Sequence, residues 1–122
     1  METNNLRSLV RTKLLARTSR VYYGVAPASA EYPYTVFELK ELSFDDGLSL
    51  QELEVGLVDY GTDKEPIENL ADGIQADLDH FQDLTDDFEI SIYKERRQPL
   101  YEEDKQIIRR RLTFQVRLYW RS

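Results

Sequence analysis

The sequence predicts an α+β fold: a two-layer domain with an antiparallel or mixed β-sheet of about five strands and two helices packed on one face. Three observations predict it. Residues 106–121 alternate apolar and polar side chains, the period of a strand with one buried face. Asp45-Asp46-Gly47 lies between two β-rich runs and marks a tight hairpin, because Asp and Gly tolerate the left-handed backbone such turns need. Two stretches, 4–18 and 65–83, space their apolar residues at three and four, the period of a helix. The 122 residues fit one domain, 1–122, which buries roughly two thirds of its unfolded surface and needs no disulfide or metal to fold.

In the first helix, over 4–18, Leu6, Leu9, Val10 and Leu14 share a face and Arg7, Arg11 and Arg17 lie off it. Thr3 or Asn4 stands where an N-cap belongs. Residues 20–23 form a short strand, followed by a small-residue loop, 24–32, that holds Gly24 and Pro27. Tyr34, Val36, Phe37, Leu39, Leu42 and Phe44 mark a second strand over 33–44. In the third, 48–60, Leu53, Val55 and Leu57 alternate with Glu52, Glu54 and Gly56. Thr62 or Asp63 caps the second helix, 65–83, and Pro66 suits its first turn. Its apolar face is Ile67, Leu70, Ala71, Ile74, Leu78 and Phe81; Glu68, Asp72, Asp79 and Asp83 take the other. Gly73 inside it costs about 1 kcal/mol against Ala. The fourth strand, 87–96, puts Phe88, Ile90 and Ile92 on one face, and a polar link, 97–105, holds Pro99. In the last strand Leu112, Phe114, Val116, Leu118 and Trp120 face one way; Arg109, Arg111, Thr113, Gln115, Arg117 and Arg121 face the other.

Composition narrows the function. Without cysteine there is no disulfide and no thiolate metal site. A net charge of −7 weighs against nucleic acid as the main partner. No apolar run reaches the ~18 residues of a transmembrane helix, and residues 1–19 lack the apolar core and cleavage pattern of a secretory signal, so no membrane partner is expected. His80 is the sole histidine; with no nucleophile or further ligand in view, it reads as a surface or edge residue. The sets Asp45/Asp46, Asp77/Asp79 and Asp83/Asp86/Asp87 lack the ligand alternation and final glutamate of a calcium loop. No phosphate loop, nucleophile elbow or dinucleotide fingerprint occurs. The expectation is a chain with no catalytic residue, metal or cofactor.

Charge is unevenly spread. Residues 38–89 are rich in Asp and Glu, while both ends carry most of the arginines. Lys94, Arg96 and Arg97 close the fourth strand, and Arg109-Arg110-Arg111 open the last. Arg109 and Arg111 project together on its polar face, and Arg110 falls on the core-facing register. Two readings stand. One is a charged edge that resists strand aggregation. The other is an interface that meets an acidic face of a neighbouring copy. DNA contact would need several copies ringing a channel.

The order of these pieces resembles a known family. A helix leads to "VYYGVAP"; then come "YPYTVFEL", the DDG hairpin, an amphipathic helix and "RRRLTFQVRLYW". This is similar to the tail terminator (tail-completion, tail-to-head joining) proteins of long-tailed bacteriophages. Val21, Tyr22, Pro27, Pro33, Tyr34 and the strand 112–120 carry the resemblance, which covers nearly the whole chain. It implies a structural protein of a siphovirus-type virion, not an enzyme. Such proteins form a hexameric ring that caps the tail tube, ends its polymerisation and makes the tail side of the head–tail interface. The implied partners are further copies of itself, the tail tube protein, a head connector or stopper protein, and genome DNA passing through the lumen without sequence-specific binding. The implied location is the virion, after assembly in the host cytoplasm. A ring needs heterologous contacts, in which two different patches meet. Arg96, Arg97, Arg109, Arg111, Tyr22, Pro27 and Tyr34 are the candidate subunit or partner interface. The loop 24–32 reads either as a segment that orders only in an assembly or as a surface crossover. Two alternatives remain beside the terminator: another head–tail connector or tail tube protein, and a small intracellular module that recruits a partner on its open sheet edge.

Overall fold

In the computed structural model, which describes residues 2–84 and 88–120, the elements are α1 (Glu2–Leu15), β1 (Val21–Tyr23), β2 (Tyr34–Asp45), β3 (Leu48–Tyr60), α2 (Glu65–Leu78), β4 (Phe81–Leu84), β5 (Phe88–Leu100) and β6 (Ile107–Trp120). Asp86, Asp87, Arg121 and the side chain of Trp120 lie outside the described residues. The strands form one mixed sheet in the order β1-β2-β3-β6-β5-β4. β1 and β2 run parallel; every other neighbouring pair is antiparallel.

The alternation of β6 makes it a central strand. Leu112, Phe114, Val116 and Leu118 are buried on one side of it, opposite Val55, Leu53, Gln51 and Ser49 of β3. Its other flank places Ile92 against Val116 and Ile90 against Leu118. The helices cover this face: Leu6, Val10 and Leu14 of α1 and Ile67, Ala71, Ile74 and Leu78 of α2 join the strand residues in one buried cluster. The α+β, two-layer expectation therefore holds. The β2–β3 hairpin also forms as read, with Asp46 (φ 54°) and Gly47 (φ 83°) both left-handed between paired Asp45 and Leu48. Two successive positive-φ residues define the turn whose twist matches its strands.

The sheet has six strands, not about five, because α2 stops at Leu78 instead of running to residue 83. Asp79 is extended and His80 takes φ 65°, a left-handed step that glycine usually supplies at a helix end. The His80 N–H donates to the Ile92 carbonyl (2.8 Å), and Phe81 then pairs with Ile92 as β4 begins. Phe81 still packs against the core, so the apolar spacing of Leu78 and Phe81 suits a helix and this turn-to-strand path equally. α1 starts at Glu2, which puts Thr3 and Asn4 inside its first turn rather than before it. At α2 the N-cap position is Lys64 and has no side-chain cap, although Asp63 Oδ1 accepts the Glu65 N–H at 3.0 Å. β5 runs on to Leu100, past a bulge at Glu95, and shortens the link to 101–106. Pro99 fits there because β4 pairs only with residues 89–92, leaving that end of β5 without an outer neighbour.

Gly73 has a packing reason. A Cβ there would lie 3.1 Å from Nη1 of Arg17. That guanidinium reaches across to α2 and donates to both carboxylate oxygens of Asp77, at 2.7 and 2.8 Å. The hydrogen bond from Arg17 holds the Asp77 carboxyl below its usual range. A depressed carboxyl adds stability above the unfolded-state pKa and loses it as pH falls through the folded one. Asp77→Asn should therefore flatten the loss of stability below about pH 4, read by denaturant titration at several pH values. The effect should be small, because the pair is partly solvated. By contrast Phe37→Ala, at a fully buried ring, should cost about 3–5 kcal/mol in the same titration at neutral pH.

Candidate assembly surfaces

The sheet face away from the helices is the one on which Tyr34, Val36, Glu52, Glu54, Arg109, Arg111 and Arg117 lie by register. Its centre is a ladder of opposed charges. Arg111 Nε lies 3.0 Å from Glu54 Oε1, and Arg109 pairs with Glu102 from the β5–β6 link. Arg96 stands on this face beside Thr113, half-exposed, with its own neighbour Glu95 at 3.4 Å. The bulge at Glu95 puts Arg97 on the other side, opposite Leu112. There it reaches α2, with Nη1 2.7 Å from Asp72 Oδ1 and Nη2 3.5 Å from Glu68 Oε2. Arg110 is core-facing, as its register requires, and gives Nε to Glu68 at 2.6 Å. Acidic and basic segments far apart in sequence thus meet within one chain. The antiparallel β3–β6 pairing and the seat of α2 over the sheet bring them together.

Arg110 is the most enclosed of these cations, and Glu68 accepts from it while also facing Arg97. Arg110→Ala should leave Glu68 with Arg97 alone and weaken the docking of α2 by about 1–3 kcal/mol. Arg111→Ala, at an exposed pair, should cost less than about 1 kcal/mol. Thermal unfolding of the two variants checks the contrast; equal losses would contradict it.

One end of the open face is aromatic. Tyr22, Tyr34, Tyr32 and Tyr60 follow one another with ring centroids 6.3, 5.6 and 5.5 Å apart. The Tyr60 hydroxyl donates to Gln106 Oε1 at 2.6 Å. Tyr32 precedes a cis peptide bond to Pro33. Pro27 sits at the exposed apex of the loop and its carbonyl accepts the Ala30 N–H at 3.0 Å. The expected interface residues therefore divide. Tyr22, Tyr34, Arg96, Arg109 and Arg111 share the open face, Pro27 stands at its rim, and Arg97 belongs to the helix side.

The loop of residues 24–33 is the crossover between two parallel neighbours. Its ends are fixed by the Gly24 N–H on the Phe37 carbonyl (2.9 Å) and the Thr35 N–H on the Arg20 carbonyl (2.9 Å). Arg20 also binds Glu31 (3.2 Å). A groove lined by Gly24, Val25, Ala26, Tyr34, Val36 and Val58 sets the loop against the open face. The crossover reading is thus the one the structure supports. Deleting 25–31 should unpair β1 and lower stability, seen as faster amide exchange at Val21–Tyr23; unchanged protection would contradict this.

Both sheet edges are blunted. β1 covers only Thr35–Phe37 of β2, but the Tyr23 hydroxyl then meets the backbone N–H of Leu39 at 3.3 Å and its carbonyl at 3.5 Å. A register shift at Leu42 follows. On the far side Asp79 Oδ1 accepts the Lys94 N–H at 2.7 Å, before the bulge at Glu95 and then Pro99. Side chains, bulges and proline at edges deter strand addition. Among the described residues no three His, Asp or Glu side chains gather as a metal site. Among those residues no helix is long and apolar enough to cross a membrane.

Several exposed apolar residues were not anticipated as contacts: Leu42 and Phe44 on the hairpin, Leu84 and Tyr119 at the same end of the sheet, and Tyr32, Tyr60 and Tyr101 at the other. Leu42 and Phe44 read in sequence as residues of the second strand. The bulge at Leu42 and the reach of the hairpin leave them uncovered.

No family model and no curated protein matches the chain. Among solved structures it is similar to a chain described as "Virion of native gene transfer agent (GTA) particle", with a TM-score of 0.71 at 15% identity. The match covers 90% of this chain and 91% of that one, and at this identity it establishes a shared fold.

Proposed function

We propose that the chain is a structural protein of a phage-like virion and serves there as the tail terminator: a hexameric ring that caps the tail tube and presents the tail side of the head–tail interface. The observation that carries the reading is the near full-length likeness of fold to a chain of a gene transfer agent virion. The sequence resemblance, carried by Tyr22, Pro27, Pro33, Tyr34 and the strand 112–120, gives the finer assignment. The surface supports it in two ways. Blunted edges disfavour the alternative of a module that recruits an added strand. Two dissimilar apolar ends suit heterologous contacts between copies. Tyr22, Tyr34, Arg96, Arg109 and Arg111 on the open face, with Pro27 at its rim, are proposed to face a neighbouring subunit or partner. The role is structural rather than enzymatic, with the virion as its place and tube protein and head connector as partners.

The test uses polymerising tail tube protein with and without the purified chain, imaged by electron microscopy. Tubes of arrested length with a ring of density at one end are expected. Unchanged lengths and bare ends would overturn the terminator assignment. A connector acting elsewhere in the junction, which the virion likeness also favours, would leave tube growth unchanged and bind the head side instead.

A further inference from the structure

We propose that the tip of the β2–β3 hairpin of one copy docks into a pocket at the opposite end of the sheet of a second copy. The inference rests on the ring reading in requiring a second copy, and names the contact that would join subunits. At the tip, Leu42 and Phe44 are 54% and 57% exposed. Asp45 and Asp46 follow directly, and neither has an ion pair among the described residues. The tip thus presents an exposed aliphatic-aromatic pair for apolar contact and two carboxylates that give it a negative charge.

The other end of the sheet offers the complement. Leu100, Ile107 and Ile108 line a pocket of about 270 Å³, with the 88%-exposed ring of Tyr101 beside them. Four cations surround it, and their pairing decides its charge. Arg109 is matched by Glu102 and Arg110 by Glu68. Lys64 and Lys105 also line it, and among the described residues neither has an ion pair. The side chains that line the pocket are therefore apolar at its base and net positive in charge, the reverse of the hairpin's. A phenyl ring on the apolar base would bring Asp45 and Asp46 towards the two lysines.

A chain cannot make this contact with itself. The hairpin begins β3 at Leu48, and the pocket lies beyond the other end of the same strand, where Tyr60 pairs with Ile107. At ~3.3 Å per residue the two are about 40 Å apart. Because the patches differ, each docking leaves one hairpin and one pocket free, so chains add head to tail until the rotation closes a ring.

Two variants at exposed positions test it, each checked for an unchanged thermal midpoint: Leu42→Ser/Phe44→Ser at the hairpin and Lys64→Glu/Lys105→Glu at the pocket. In sedimentation velocity each alone should self-associate at least about tenfold more weakly than the native chain. Mixed at equal ratio, they should form a two-chain species that grows no further, since only one hairpin and one pocket in it are intact. Native-like assembly of either variant, or a mixture that stays monomeric, would overturn the contact while leaving the ring itself standing. A native chain that is monomeric at every concentration would also overturn the contact, and tube capping then decides the terminator reading separately. A second measurement is independent of the equilibrium. Ser43→Cys/Lys105→Cys, in a chain without native cysteine, should oxidise to an intermolecular disulfide ladder; Ser43→Cys with Ser8→Cys should not. Equal cross-linking of both would count against the docking.

Discussion

The pairing of β6 with β3 is the constraint on which the rest depends. It runs from Leu48↔Tyr119 to Tyr60↔Ile107 without a register shift, and β6 pairs along its other flank with β5. Because β6 follows every other described element in sequence and lies between β3 and β5, neither flank of the sheet is joined to the other without it. The period of two then decides both surfaces at once. A single-residue slip would expose Leu112, Phe114, Val116 and Leu118 and bury Arg109, Arg111 and Arg117. The helices are secondary to this register, since α2 finds its seat by the same residues and is fixed by Arg97 and Arg110.

The same pairing organises the charge. In sequence the acids and arginines lie apart, which suggests complementarity between copies. In the fold, Glu54, opposite Thr113, meets Arg111 on the diagonal, and Glu68 and Asp72 collect the arginines beneath α2. Among the described residues seven arginines thus find carboxylate partners within the chain. Among the charges without an ion pair are Asp45 and Asp46 on the hairpin and Lys64 and Lys105 around the pocket, at opposite ends of the strands. With both lateral edges blunted, the proposed contact between copies runs along the strand direction through side chains rather than sideways through backbone.

Much of the fold was legible because strong periodicities decide it: the β6 alternation, the hairpin turn at Asp46-Gly47 and the apolar stripe of α2 all appear where expected. The end of α2 was not legible. Phe81 lies on the helix's apolar stripe, and nothing local reveals that His80 turns left-handed to reach Ile92. The bulges at Leu42 and Glu95 were equally hidden, since they depend on the partner strand, and the one at Glu95 decides which face Arg97 takes. For the candidate surface, Tyr22, Tyr34, Arg109 and Arg111 could be placed from alternation alone. Tyr32 and Tyr101 could not, because they lie on the crossover loop and the β5–β6 link, whose paths carry no period.

The central claim is that this subunit assembles through two different patches into a closed ring. Native mass spectrometry of the purified chain across a concentration series tests it most directly. The account predicts six copies as the dominant assembly, with no stable even-numbered intermediate built on a twofold axis. A dominant dimer would contradict it, because an isologous contact uses one patch twice and leaves nothing with which to close a ring.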